Sequence, residues 1–182
     1  MTYGFIKNLL SEGRAVSVSI EALPYDKKDL SPVLSKEALE YHYENLAKTY
    51  AKRYNAGEGD PVFNEAGVFL HNILFQQYQE STANNAPTDQ VLELITTHFK
   101  TFAKFKEEFL KVAMGVQGSG WVYLAKDGKI KTITNHAIKK DIVVLVDWWE
   151  HAWALDYQQD KKKYLENQWK IINWDKVNGL LR

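Results

Sequence analysis

Apolar residues recur along this chain first at helical spacing and then in β-prone runs. Ser35 is placed to cap a helix from Lys36 to about Tyr54, with Glu37 in its first turn and Leu39, His42, Leu46, Thr49, Tyr50 and Arg53 on one broad face. The run Asn55-Ala56-Gly57-Glu58-Gly59-Asp60 breaks it. A second helix is predicted from about Pro61 to Tyr78, with Asp60 as cap and proline in the first turn, where a missing N–H is harmless; it lines up Gly67, His71 and Phe75. Beyond a polar loop from Ser81 to Pro87, Thr88-Asp89 caps a third helix. Its Leu92, Ile95, Phe99, Phe102, Phe105 and Phe109 make an aromatic stripe opposite Lys and Glu, which reads as core.

The pattern changes near Gly115. Trp121-Val122-Tyr123-Leu124 and Ile130 to Thr134 flank Lys126-Asp127-Gly128-Lys129, an Asp-Gly turn between β-prone runs and hence a hairpin. Ile142 to Val146 is an unbroken apolar run ending at Asp147, which predicts a buried third strand, and Tyr157 to Arg182 returns to helix. Before the first helix, Ala22-Leu23-Pro24-Tyr25 and Ser31-Pro32 form an extended approach, since proline fixes φ and biases its predecessor away from helix. Helices first and an antiparallel sheet afterwards give the class α+β.

Composition narrows the function. The chain has 182 residues, 23 basic against 23 acidic side chains, five histidines and no cysteine. A net charge of zero argues against a general nucleic-acid binder, whose phosphate contacts need an excess of Lys and Arg. Without cysteine there is no disulfide, no thiol catalysis and no thiolate metal site, so any metal must sit on nitrogen and oxygen. No stretch approaches the ~18 apolar residues of a membrane span, and the start lacks a basic region followed by an apolar run; the expectation is a soluble, cytoplasmic protein.

Four of the histidines stand at unusual places. His42 and His71 lie on apolar faces of separate helices, His136 follows the second hairpin strand, and His151 follows Asp147 by four positions. One such histidine is more often a satisfied core residue; several together, beside a carboxylate at the end of an apolar strand, point to a cation. Three imidazoles and a carboxylate suit iron, manganese or zinc better than calcium or copper(I). His98, among Thr97, Phe99 and Lys100, reads as surface or packing.

Val146-Asp147-Trp148-Trp149-Glu150-His151-Ala152-Trp153, with Asn173-Trp174-Asp175 later, resembles the signature of the iron/manganese superoxide dismutases, and Gly118-Ser119-Gly120-Trp121 resembles their G-S-G-W strand start. Ala22-Leu23-Pro24-Tyr25, Glu40-Tyr41-His42-Tyr43 and Thr49-Tyr50 are similar to the family's opening. The resemblance implies an N-terminal helical hairpin packed on a C-terminal domain with a three-stranded antiparallel sheet flanked by helices, with boundaries at 1–20 for an extension, 21–86 for the hairpin and 87–182 for the C-terminal domain. It implies His42, Asp147 and His151 as ligands of one iron or manganese ion. The fourth depends on register: Phe63-Asn64-Glu65-Ala66-Gly67-Val68-Phe69-Leu70-His71 fits one form of the family without a gap and selects His71, whereas the other register puts Asn72 at the ligand position. Gly67 then falls at the manganese-type glycine. By the same resemblance His136 takes the place of the glutamine that hydrogen-bonds metal-bound solvent, Tyr50 falls at the gateway tyrosine, Trp121 and Trp149 fall at aromatic positions that wall the metal, and Glu150 matches the residue that bridges to the ligand histidine of a second subunit, which implies a homodimer through Glu150 and His151.

Several positions depart from the family. Leu46 stands at a gateway histidine and Ala154 at the tyrosine that contacts it across the dimer, so both halves of one polar contact are replaced together. The stretch from His42 to His71 is short, and Phe75 replaces a common tryptophan. The implied activity is dismutation of superoxide to dioxygen and hydrogen peroxide, with no nucleic-acid or membrane partner. The alternative is a weakened or inactive dismutase-like protein serving as a binding or assembly module. A zinc hydrolase would need a free general-base carboxylate beside the cluster, and none is evident.

Overall fold

The computed structural model describes residues 17–181, so most of the expected 1–20 extension lies outside the described residues. The architecture is α+β as expected, a helical hairpin and then a three-stranded antiparallel sheet with helices. The first rod runs through α1 (Lys36–Glu40), a π-helical stretch (Tyr41–Ala47) and α2 (Lys48–Ala56). Ser35 caps it, its Oγ accepting from the Ala38 N–H at 3.0 Å, and Gly57 ends it with φ 69°, a left-handed conformation that glycine adopts without steric cost. Asp60 caps α3 (Pro61–Gln76), accepting from the Val62 and Phe63 N–H groups. The buried line of the first rod is Leu39, Tyr43, Ala47 and Ala51. This differs from the expected face, because Thr49 and Arg53 are exposed and Leu46 is half-buried.

The third predicted helix is two, α4 (Asp89–Phe99) and α5 (Phe102–Met114). The chain breaks at Lys100, with φ 71°, and restarts where the Thr101 hydroxyl accepts from the Lys104 N–H. A straight helix would carry the phenylalanines past their partner; the break turns Phe102, Phe105 and Phe109 onto the Trp169 ring at 5.1–6.1 Å. Thr88 does not cap with its side chain, whose oxygen instead accepts from the Asn178 amide.

The sheet orders β2 (Ile130–Thr134), β1 (Gly120–Ala125) and β3 (Ile142–Asp147), with β1 central and every pairing antiparallel. The Asp127-Gly128 turn joins β1 to β2 as predicted. Gly128 has φ 75°, and a Cβ there would sit 2.2 Å from the His98 ring, so the exposed His98 packs on the turn. The register sets Trp121 opposite both Ile133 and Asp147.

The outer edge of β3 is blunted by a side chain. The buried Gln77 amide donates to the Leu145 carbonyl and accepts from the Leu145 N–H, as a neighbouring strand would. After β3 come a 3-10 turn (Glu150–Ala152), α6 (Ala154–Tyr157), α7 (Lys161–Gln168) and α8 (Trp174–Leu181), several short pieces in place of one predicted helical return. The Tyr157 hydroxyl donates to the Val33 carbonyl at 2.5 Å and Asp156 accepts from the Ser35 N–H at 2.7 Å, tying these pieces to the start of the hairpin. Among the described residues no helix is long and apolar enough to cross a membrane.

Candidate metal centre

The four predicted ligand residues come from four different elements. His42 sits on the π-helical stretch, His71 on α3, Asp147 at the end of β3 and His151 on the 3-10 turn. Their potential ligand atoms lie within 4.8 Å of one another. The Nε2 atoms of His42 and His151 are each 3.2 Å, and that of His71 3.8 Å, from one oxygen, Asp147 Oδ2.

Each orientation has a local cause. The His71 Nδ1–H donates to the Gly67 carbonyl one turn back at 2.7 Å, which leaves the Nε2 lone pair facing inward. Asp147 Oδ1 accepts from the Trp149 N–H at 2.8 Å, and the Asp147 carbonyl accepts from the Tyr164 hydroxyl at 3.0 Å, so Oδ2 is left to the imidazoles. The π turn contributes as well. Residues eight apart lie about 80° apart around an α-helix, but i→i+5 bonding turns the chain by less per residue and brings His42 and Tyr50 nearer one face. Both rings then approach His71, at 5.0 and 5.5 Å.

Asp147 and His71 are fully buried. Burial is the largest influence on Asp147 and raises its pKa, but the His151 and His42 rings together outweigh it and hold the carboxyl well below the usual carboxylate range. Burial, aided at His71 by the neighbouring His42, pushes His42 and His71 below the ordinary imidazole value, so both are neutral near pH 7. The buried Nε2 atoms of His42 and His71 make no hydrogen bond. Buried polar atoms without partners are costly, and here they surround an ionised carboxylate. A divalent or trivalent cation taking nitrogen and oxygen ligands would satisfy all of them at once, so the donor set fits iron or manganese.

The surrounding shell is aromatic. His136 is buried and its pKa falls to about 4, chiefly through burial; Trp149 stacks on it at 4.7 Å, and the Trp121 indole donates to its Nδ1 at 3.3 Å. Tyr50 lies 4.9 Å from His136, and its hydroxyl is pushed up to about 12 by burial and then by Asp147. A Cβ at Gly67 would meet the Tyr50 ring at 2.9 Å, so this glycine makes the room in which Tyr50 lies against α3. Phe75 takes the place beside His42 at 5.2 Å.

Asn72 points elsewhere. Its amide accepts from the Glu21 N–H and donates to the Ser19 carbonyl, and with Asn55 and Gln76 it clasps the extended segment around Val18 to Ala22. Glu150 is exposed, and His151, Ala154, Tyr41 and Leu155 line an open groove beside it. Sequence reasoning missed Phe63, whose ring is 4.5 Å from His136, and Tyr164, which anchors Asp147. Phe63 had a signal, its place at the start of the segment that fixes the His71 register, whereas Tyr164 had none.

Two family models match adjoining parts of the chain: the alpha-hairpin domain of iron/manganese superoxide dismutases over residues 17–88 and the C-terminal domain of the same enzymes over 87–180. A superoxide dismutase [Fe] of Escherichia coli (strain K12) is 35% identical over 187 residues, covering 89% of this chain and 97% of that protein. One from Bacteroides fragilis (strain YCH46) is 34% identical, covering 87% and 96%, and a superoxide dismutase [Mn/Fe] of Porphyromonas gingivalis is 35% identical with the same coverage. With both domains matched and the His and Asp side chains gathered as described, the chain belongs to the iron/manganese superoxide dismutase family.

Proposed function

We propose that the protein is a superoxide dismutase in which His42, His71, Asp147 and His151 hold one iron or manganese ion. The reading is carried by three imidazole Nε2 atoms converging on one buried carboxylate oxygen, two of them without a hydrogen-bond partner. In the net reaction one superoxide gives up an electron and leaves as dioxygen, and a second takes that electron and two protons and leaves as hydrogen peroxide. Bound there, the metal would supply the one-electron redox chemistry.

The chain's own residues do the rest. Asp147 brings a negative charge that favours a cation, and its Trp149 and Tyr164 contacts hold the carboxylate in place. Tyr50 and His136, neighbours at 4.9 Å, are the polar groups that would meet a small anion reaching the ligands, and Trp121, Trp149 and Phe63 keep bulk water from His136. His136 is the residue placed to tune the centre.

The functional unit on this reading is a cytoplasmic homodimer that binds superoxide and neither nucleic acid nor membrane. The groove beside His151 supports the dimer: Tyr41 and Leu155 are 46% and 54% exposed there, and Glu150, next to His151 in the chain, is exposed. The cytoplasmic location rests on the sequence pattern alone. Leu46 and Ala154 favour a second reading, a dismutase-like binding or assembly module with a weakened or inert site.

Elemental analysis and superoxide-dependent activity on the same purified sample separate the two. About one iron or manganese per chain with activity supports the enzyme, and a metal-replete sample without activity selects the second reading. Sedimentation of wild type and Glu150→Ala tests the dimer, which the variant should weaken.

A further inference from the structure

Residues 18–22 lie along the helical hairpin with Val18 and Ile20 half-buried and Ser19 and Glu21 exposed, the alternation of a strand, yet they pair with none. Side chains hold them instead. The Asn55 amide accepts from the Val18 N–H at 2.9 Å and donates to the Val18 carbonyl at 2.8 Å. The Asn72 amide accepts from the Glu21 N–H at 2.9 Å and donates to the Ser19 carbonyl at 3.0 Å. Gln76 and the Tyr43 hydroxyl donate to the Ala22 and Glu21 carbonyls at 2.8 and 3.0 Å. These four residues come from both rods of the hairpin, and all six bonds end on main-chain atoms of the segment. Among the described residues, no side chain of 18–22 makes a hydrogen bond or an ion pair.

We propose that Asn55, Asn72, Gln76 and Tyr43 form a cradle that reads polypeptide backbone, and that besides the chain's own residues 18–22 it takes the same segment of a second copy. An amide side chain that accepts from an N–H and donates to a carbonyl offers what the edge of a sheet offers, so the recognition is strand addition with helices as the receptor. Its specificity follows from which atoms are used. The ligand is an extended segment with apolar residues at alternate positions; proline is excluded at the Val18 and Glu21 positions, whose N–H groups donate, and the exposed side chains between go unread. Exchange of the segment between copies keeps all six bonds. Within one chain the tether holds it at an effective concentration on the order of millimolar, so exchange becomes visible at comparable protein concentrations. The site is separate from the metal reading and does not rest on it.

The test is titration of a fluorescein-labelled peptide of residues 17–24 into full-length Val18→Pro/Glu21→Pro, whose own segment lacks both donors and leaves the cradle open. The peptide should bind saturably, and N-methylation at its Val18 or its Glu21 should each weaken binding roughly fivefold, the loss of one ordinary hydrogen bond. Ser19→Thr and Glu21→Gln peptides should bind within about twofold of the parent, and adding Asn55→Ala and Asn72→Ala to the protein should abolish binding. If the proline variant does not fold, wild type decides: the peptide in excess should displace the tethered segment and quicken hydrogen exchange at the Val18 and Glu21 amides, and a peptide methylated at both positions should not. For the second copy, full-length Glu150→Ala near millimolar concentration should self-associate in sedimentation equilibrium and lose that association with Asn55→Ala and Asn72→Ala. No saturable binding, affinity indifferent to methylation, affinity that follows the exposed side chains, or self-association indifferent to Asn55 and Asn72 would each overturn the inference.

Discussion

Two adjacent residues give opposite predictions. His71 and Asn72 are consecutive on α3, yet one faces Asp147 and the other clasps the segment before the first helix. His71→Ala removes one of four ligands, so metal content should fall from about one ion per chain to below a tenth, a loss of at least ~1.4 kcal/mol of binding for each tenfold in affinity. Metal-free stability should change much less. The variant loses the 2.7 Å bond from Nδ1 to Gly67, worth about 0.5–1.5 kcal/mol, and leaves a cavity, but it also removes a buried Nε2 whose lack of a partner costs about 1–3 kcal/mol. These oppose one another. Asn72→Ala loses two hydrogen bonds, at 2.9 and 3.0 Å, in a partly exposed setting, about 1–3 kcal/mol together, and should keep its metal. Mass-spectrometric metal analysis and denaturant melts of the metal-free forms measure both quantities. A folded Asn72→Ala without metal, or a His71→Ala that retains a full ion, would refute the assignment of His71.

Gly67→Ala gains about 1 kcal/mol of helix propensity but drives a methyl against the Tyr50 ring at 2.9–3.2 Å, an overpacking cost of about 1–3 kcal/mol; we expect a small net loss in a denaturant melt together with a displaced Tyr50 ring in NMR spectra. Gln77→Leu removes both bonds to Leu145 and leaves a buried N–H and C=O on the β3 edge, so chemical denaturation should show a loss of about 2–4 kcal/mol. The metal-free protein should lose stability as pH falls through about 6.5, because the unfolded chain then protonates His42, His71 and His136 while burial keeps all three neutral in the fold. Each ring that stays neutral in the fold while its unfolded counterpart is protonated contributes up to ~1.4 kcal/mol per pH unit to the slope. The contribution of Asp147, whose folded pKa is depressed, is present above about pH 4 and is lost below it. Melts of metal-free protein between pH 4 and 8 check this, and a flat profile would contradict the burial of these rings.

Local signals carried much of the fold. Ser35, Asp60, the Asp127-Gly128 turn and the apolar run into Asp147 each act within a few residues of where they stand, and each appears in the structure where the pattern put it. What local pattern could not show depends on distant partners. The break at Lys100 accompanies packing of the following phenylalanines on Trp169, far along the chain, and the π turn is invisible to a periodicity search because it alters the period over only seven residues. The roles of Gln77 and Tyr164 likewise appear only once β3 has a neighbour. In the candidate centre, the spacing of Asp147 and His151 was legible, but the pairing of His42 with His71 required the family resemblance, since no spacing rule connects two helices across a loop.

The fold makes the cluster expensive before it makes it useful. Two imidazoles, His42 and His71, held neutral in a dry site are costly by themselves: both Nε2 atoms lack hydrogen-bond partners, and Asp147 has no exposed surface from which to recruit water. Structural elements are nevertheless spent on keeping that arrangement, including a widened turn under His42, the Gly67 carbonyl on His71, the Trp149 N–H on Oδ1 and the Tyr164 hydroxyl behind the strand end. An ion bound by all four side chains would convert each unsatisfied atom into a ligand bond, so metal should raise stability as well as confer activity. Leu46 and Ala154 do not bear on this balance, because neither belongs to the four-residue cluster. On the proposed reading they would bear on proton supply and the dimer face, so a loss of activity traced to them should leave metal affinity unchanged, and Leu46→His with Ala154→Tyr should alter turnover while leaving the bound metal and the metal-dependent gain in melting temperature as they were.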